Sequence, residues 1–130
     1  MRKLKSLLVV LILICSMVCA ACSSSTAKAN AVPNFKLYHT KNMWNFLKLE
    51  TSTGKIWQVQ YAINNDDARM ECPLNNIEMV ESSGQRPGRF ELYECQNMYT
   101  FLLVDTVDGR VWQIQWSTEP ANRGVVAQIK

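Results

Sequence analysis

Residues 35–64, FKLYHTKNMWNFLKLETSTGKIWQVQYAIN, align without a gap to residues 90–119, FELYECQNMYTFLLVDTVDGRVWQIQWSTE, at an offset of 55. Twelve of the 30 positions are identical: Phe35/Phe90, Leu37/Leu92, Tyr38/Tyr93, Asn42/Asn97, Met43/Met98, Phe46/Phe101, Leu47/Leu102, Thr51/Thr106, Gly54/Gly109, Trp57/Trp112, Gln58/Gln113 and Gln60/Gln115. Close exchanges such as Ile56/Val111 and Tyr61/Trp116 fill much of the remainder. A duplication of this kind restricts the fold to two versions of one supersecondary unit that share a core.

Each copy contains a hairpin. TSTGK and TVDGR put Gly54 and Gly109 where a type I turn followed by a left-handed residue requires glycine. With Ser52, Thr53 and Gly54 as a three-residue loop, Thr51 faces Lys55 and Leu49, Leu47 and Asn45 lie opposite Trp57, Val59 and Tyr61. The same rule sets Val104, Leu102 and Thr100 opposite Trp112, Ile114 and Trp116. That face is the expected core, with Trp57 and Trp112 mostly buried. Strand alternation then places Trp44, Phe46 and Lys48 beside Gln58 and Gln60 on the other face, and Tyr99, Phe101 and Leu103 beside Gln113 and Gln115. FKLYHT and FELYEC supply a third strand each.

The expected fold is therefore all-β: two three-stranded antiparallel meanders packed as a small pseudo-twofold sandwich or partly open barrel. The single domain spans 34–130, with repeat one at 35–64, a linker at 65–89, repeat two at 90–119 and a terminal segment at 120–130. The linker holds Pro73 and Pro87 and is expected to add one strand around Ile77, Glu78, Met79 and Val80.

Upstream of the repeats lies a segment of different composition. Arg2, Lys3 and Lys5 precede an apolar run from Leu7 to Ile14 that ends at small residues Ala20 and Ala21. This three-part layout is that of a secretory signal over 1–21, and the run is too short for a spanning helix. Val18-Cys19-Ala20-Ala21-Cys22 is similar to a lipobox, in which a small residue precedes the cysteine that takes a diacylglyceryl group. SSSTAKANA follows as a tether of small residues within 22–33. Lipid on Cys22 would anchor the chain to the bacterial envelope, on the periplasmic or the outer face.

Removing the signal changes the charge. The chain has 14 basic and 11 acidic residues, and three basic ones leave with the signal, so the exported part is balanced. A balanced chain without a basic stripe does not fit nucleic acid. Cys72 and Cys95 are the cysteines left in the folded part, and an oxidising compartment permits a disulfide between them or two separate thiols.

The unit NMWNFLKLETSTGKIWQVQY and its second form NMYTFLLVDTVDGRVWQIQW resemble a tandem repeat of small exported lipoproteins of Gram-negative gut bacteria, a family without an assigned activity. The resemblance covers most of 35–130 and implies export and repeat architecture.

Enzymatic constellations are missing from the sequence pattern. His39 is the one histidine and its counterpart is Glu94; Asp105 and Asp108 flank a hairpin loop, where Asp suits turn geometry. No cofactor or metal motif is expected. The candidate binding face is the group of rings and amides: Trp44, Phe46, Gln58, Gln60, Tyr99, Phe101, Gln113 and Gln115. Rings that stack on sugar faces beside amides that donate and accept hydrogen bonds suit a glycan or a peptide. Two functions fit: a non-catalytic binding module for a glycan or envelope protein, or an inhibitor or immunity-type lipoprotein that blocks a toxic or lytic periplasmic enzyme.

Lipidation at Cys22 has a direct check. Palmitate label is expected on the wild-type chain and lost in Cys22→Ala; label retained in that variant would refute the assignment.

Overall fold

The computed structural model describes residues 31–130; the signal and Cys22 assignments lie outside the described residues. The fold is all-β, with two four-stranded antiparallel sheets and no α-helix among the described residues. The first sheet runs in the order β1 (Phe35–His39), β2 (Asn45–Glu50), β3 (Ile56–Gln60) and β4 (Met70–Asn75). The second runs β5 (Phe90–Glu94), β6 (Thr100–Asp105), β7 (Val111–Gln115) and β8 (Gly124–Ile129). Neither sheet closes on itself, so the structure is not a barrel.

Each meander therefore has four strands where three were expected. The added strand in the linker is Met70–Asn75, not the stretch around Ile77 to Val80, which forms no strand. Pro73 sits within β4 without harm because β4 is a sheet edge, where a missing N–H removes no inner ladder bond. The fourth strands are entered alike: short 3-10 turns at Asp66–Ala68 and Pro120–Asn122 are each followed by an arginine. Arg69 Nε donates to the Ala62 carbonyl at 3.1 Å, and Arg123 Nε donates to the Ser117 carbonyl at 2.7 Å, a matched pair of positions. The duplication thus extends past the aligned 30 residues, with one residue fewer in the second copy.

The hairpin register differs by one residue from the expected one. Lys48 pairs with Trp57, Leu47 with Gln58 and Leu49 with Ile56; in the second copy Leu103 pairs with Trp112, Leu102 with Gln113 and Val104 with Val111. The cause is the threonine at the start of each loop. Thr51 N–H donates to the Asn34 carbonyl at 2.7 Å, and Thr106 N–H donates to the Arg89 carbonyl at 2.9 Å, so each threonine bonds the upstream segment rather than facing the residue after glycine. The loop takes four residues: Glu50 N–H donates to the Lys55 carbonyl and Asp105 N–H to the Arg110 carbonyl, each at 2.9 Å. Gly54 and Gly109 do adopt positive φ, 80° and 78°, at the end of that loop.

Because side chains alternate, a one-residue slip moves one strand of each hairpin to the other face. In the first sheet the buried face carries Asn45, Leu47, Leu49, Ile56 and Gln58. In the second sheet it carries Phe101, Leu103, Asp105, Trp112 and Ile114. These are opposite faces of the same repeat. Leu47 is fully buried whereas its identical counterpart Leu102 is only half-buried; Phe101 is buried whereas Phe46 is half-buried. The expected burial of both tryptophans is thus corrected: Trp112 is in the core and Trp57 lies half-buried on the open face. A pseudo-twofold sandwich would bury like faces against each other, and the two copies do not do so.

One core joins the sheets, containing Leu47, Leu49, Ile56 and Leu74 from the first and Phe90, Leu92, Phe101, Leu103, Trp112 and Ile114 from the second, together with Trp116. Each fully buried side chain of this size stabilises the fold by roughly 1.5–3 kcal/mol. The choice of faces follows from the exchanges between copies. Position 48 is Lys, which keeps its ammonium on the open face and pairs with Glu71, whereas position 103 is Leu and is fully buried. At the rim of the same buried face, Arg89 neutralises Asp105 through donors at 3.0, 3.0 and 2.8 Å. Burial opposes ionisation of Asp105, yet the Arg89 hydrogen bonds, aided by the backbone N–H of Val107, hold its carboxyl below the usual carboxylate range.

Two predictions follow from these loops. A Cβ at Gly54 would stand 2.8 Å from Met79 Cγ, while one at Gly109 meets nothing within 4 Å. Gly109→Ala should cost only the left-handed backbone strain, about 1 kcal/mol, and Gly54→Ala more, by urea unfolding; equal losses would contradict the packing. The Asp105 carboxyl titrates lower in the folded than in the unfolded chain, so its stabilisation is present at neutral pH and is lost as pH falls through the carboxylate range. Asp105→Ala should destabilise by about 3–5 kcal/mol at pH 7 and flatten the acid side of the stability curve; an unchanged acid limb would show that the pair is not coupled to folding.

Candidate functional site

The candidate face derived above is divided by the structure. Trp44 and Phe46 share the open face of the first sheet, while Gln58 points the other way and is fully buried. Gln58 is structural: Nε2 donates to Asn45 Oδ1 at 2.9 Å and Oε1 accepts from Ser117 N–H at 3.3 Å, which ties the first copy to the second. Phe101 is a core residue. Tyr99 is exposed, and Gln113 and Gln115 lie half-buried on the outer face of the second sheet. Gln60 remains close to Trp44, where both line one cavity.

That cavity, of about 480 Å³ and open to solvent, lies at the end of the first sheet where β2 begins and β3 ends. Asn42, Trp44, Asn45, Gln60, Tyr61, Ala62, Ile63, Asn64 and Ala68 line it, and Thr118 of the second copy completes the wall. The Tyr61 N–H donates to the Trp44 carbonyl at 3.1 Å, extending the β2–β3 ladder by one pair. Their rings therefore stand side by side, 5.2 Å between centroids and tilted by 55°. Both remain partly exposed, Trp44 at 37% and Tyr61 at 42%.

Polar groups converge on the same place. Asn42 shapes the turn into β2 by accepting the Trp44 N–H at its Oδ1, 2.9 Å away, which leaves its amide NH₂ without a partner among the described residues. Gln60 Nε2 donates to the Ala68 carbonyl at 2.9 Å, leaving its oxygen. Asn64 makes no side-chain hydrogen bond among the described residues. The lining thus offers two rings plus amide donors and acceptors, and it contains no carboxylate, imidazole or thiol.

The same device recurs in the second copy with the ring types exchanged. Asn97 Oδ1 accepts the Tyr99 N–H at 3.1 Å, Trp116 N–H donates to the Tyr99 carbonyl at 3.0 Å, and the Tyr99 and Trp116 rings lie 5.2 Å apart. Trp116 is fully buried, however, and its indole N–H is taken by the Met98 carbonyl at 2.9 Å. The three-residue loop register sets Tyr61 in the core, so the sequence pattern does not mark it as a site residue. The signal that identifies it is the swap Trp44/Tyr99 with Tyr61/Trp116, two positions that hold a pair of large rings in both copies.

A second aromatic group covers the open face of the first sheet. Lys48 Nζ stands 4.7 Å from the Trp57 ring and 5.8 Å from the Phe35 ring, and it pairs with Glu71. The His39 ring lies 4.7 Å from that of Phe46, tilted by 51°, and is exposed. Cys72 and Cys95 are free thiols: Cys72 accepts from Arg123 Nη1 at 3.3 Å, and Cys95 follows β5 near Lys41. Among the described residues, no group of three His, Cys, Asp or Glu is arranged to hold a metal ion.

No family model, no curated protein and no solved structure matches the chain.

Proposed function

We propose that the chain is a lipid-anchored envelope protein whose β domain binds a glycan without transforming it, and that the Trp44 and Tyr61 cavity is the site. The observation carrying this is the pair of exposed rings beside amides that keep a free hydrogen-bonding group among the described residues, in one open cavity. A sugar ring presents C–H groups on its face and hydroxyls around its edge. The aromatic faces suit the first, and the amides of Asn42 and Asn64 with the Gln60 oxygen suit the second, each able to donate or accept as needed. A volume near 480 Å³ accommodates one or two sugar residues, within the usual range for small-ligand sites. Groups that would act as general acid and base are missing from the lining, so binding is the chemistry these residues support.

A glycan array probed with the full chain in mild detergent is expected to give hits that quench tryptophan fluorescence on titration. Trp44→Ala should weaken binding at least tenfold, Trp44→Phe should retain part of it, and Asn64→Ala should weaken it less than Trp44→Ala. The proposal fails if no glycan binds, if Trp44→Ala leaves affinity unchanged, or if a bound glycan is cleaved.

A further inference from the structure

The two repeats pack head to tail. One face of the repeat, represented in the first copy by Leu47, Leu49, Ile56 and Gln58, is covered by the opposite face of the second copy, represented by Phe101, Leu103, Trp112 and Ile114. Each copy therefore keeps one unsatisfied face, and the two unsatisfied faces are counterparts of the two that already fit together. On the first sheet Phe35, Phe46, Trp57 and Val59 stand open, matched in the covered face by Phe90, Phe101, Trp112 and Ile114. On the second sheet Leu102, Val104, Val111 and Gln113 stand open, matched by Leu47, Leu49, Ile56 and Gln58.

Same-position residues also meet across the existing interface. Lys36 Nζ lies 3.3 Å from Glu91 Oε1, and these are equivalent positions of successive copies. Lys41 Nζ likewise donates to the carbonyl of its counterpart Gln96. Repeating the same step from the second copy would set Glu91 against the next chain's Lys36, a pair of opposite charge. On the open first face Lys48 is already neutralised by Glu71. The occupant that both shape and charge specify is a second copy of this chain.

We infer that the protein self-associates head to tail through these faces and closes into a ring. Any open stack leaves one face of each kind bare, whereas a ring leaves neither, and a heterologous interface closes when its rotation divides a full turn. Four-stranded meanders stacked face to face about an axis form closed propellers of 4–8 sheets, so chains of two sheets would close as two, three or four copies. Trp44 occupies the position of Tyr99, which stays exposed beside the interface already formed, while Tyr61 occupies that of the buried Trp116, so the ring would narrow the glycan cavity on the Tyr61 side and leave Trp44 accessible.

Sedimentation equilibrium of the full chain in density-matched detergent tests the ring. The expected result is one species of two, three or four chain masses. Trp57→Glu and Leu102→Lys, each on one open face, should both give folded monomers by circular dichroism; if Trp57→Glu fails to fold, Phe35→Glu at the half-exposed edge replaces it. Mixing the two variants leaves one intact face of each kind and should give a dimer and nothing larger. A monomeric wild-type chain, or variants that fail to pair when mixed, would overturn the inference, and a ladder of growing lengths would overturn closure. Trp44→Ala is expected to leave the mass unchanged, which separates failure of the ring from failure of the glycan site.

Discussion

Everything in this fold depends on where each hairpin turns, and that is decided by a backbone hydrogen bond of one threonine. Thr51 N–H reaches the Asn34 carbonyl and its own carbonyl accepts the Phe90 N–H at 2.8 Å, so the residue belongs to the junction between copies and is withdrawn from the hairpin. Its hydroxyl donates to the Pro33 carbonyl and accepts the Gly88 N–H, both at 2.9 Å. Thr51 is fully buried, where leaving these groups unpaired would cost more than the pairing gains. With threonine removed from the ladder the loop lengthens by one, and the period of two fixes which side chain faces which way for the length of both strands.

From that register the relation between the copies follows. Leu103 in place of Lys48, and Arg89 with Asp105 in place of Asn34 with Glu50, make this face of the second repeat the one covered within the chain. The first repeat keeps charge on that face and offers the other one. Two nearly identical hairpins thus make an asymmetric pair, in which Gln58 is a buried link between the copies while Gln113, the same residue one repeat later, stays on the surface. The open cavity belongs to the same logic, because the Trp44–Tyr61 pair ends the ladder at the point where the strands part.

Much of this was legible in the chain. The duplication, the all-β character, the positive φ of Gly54 and Gly109, and the burial of Leu47, Leu49, Ile114 and Trp116 all follow from local pattern and turn chemistry. The register was not, since a three-residue and a four-residue loop both place glycine last, and the bond from Thr51 to Asn34 spans residues that no local rule connects. The fourth strands were also hidden: MECPLN carries a proline, and GVVAQI lacks alternation, so neither has the signature that identified the other six. Of the proposed site, Trp44 and Gln60 were visible as strand residues, whereas Tyr61 and Asn64 required the true register and the path of the chain beyond β3.

Matched positions of the two copies have opposite surroundings, and identical residues at those positions allow the difference to be measured. Urea unfolding of four alanine variants, under conditions where the chain sediments as a monomer, compares Leu47 with Leu102 and Phe101 with Phe46. Leu47→Ala and Phe101→Ala should each lose roughly 2–5 kcal/mol, and Leu102→Ala and Phe46→Ala each less than about 1 kcal/mol. Equal losses at the matched positions would show that both copies bury the same face and would contradict this account.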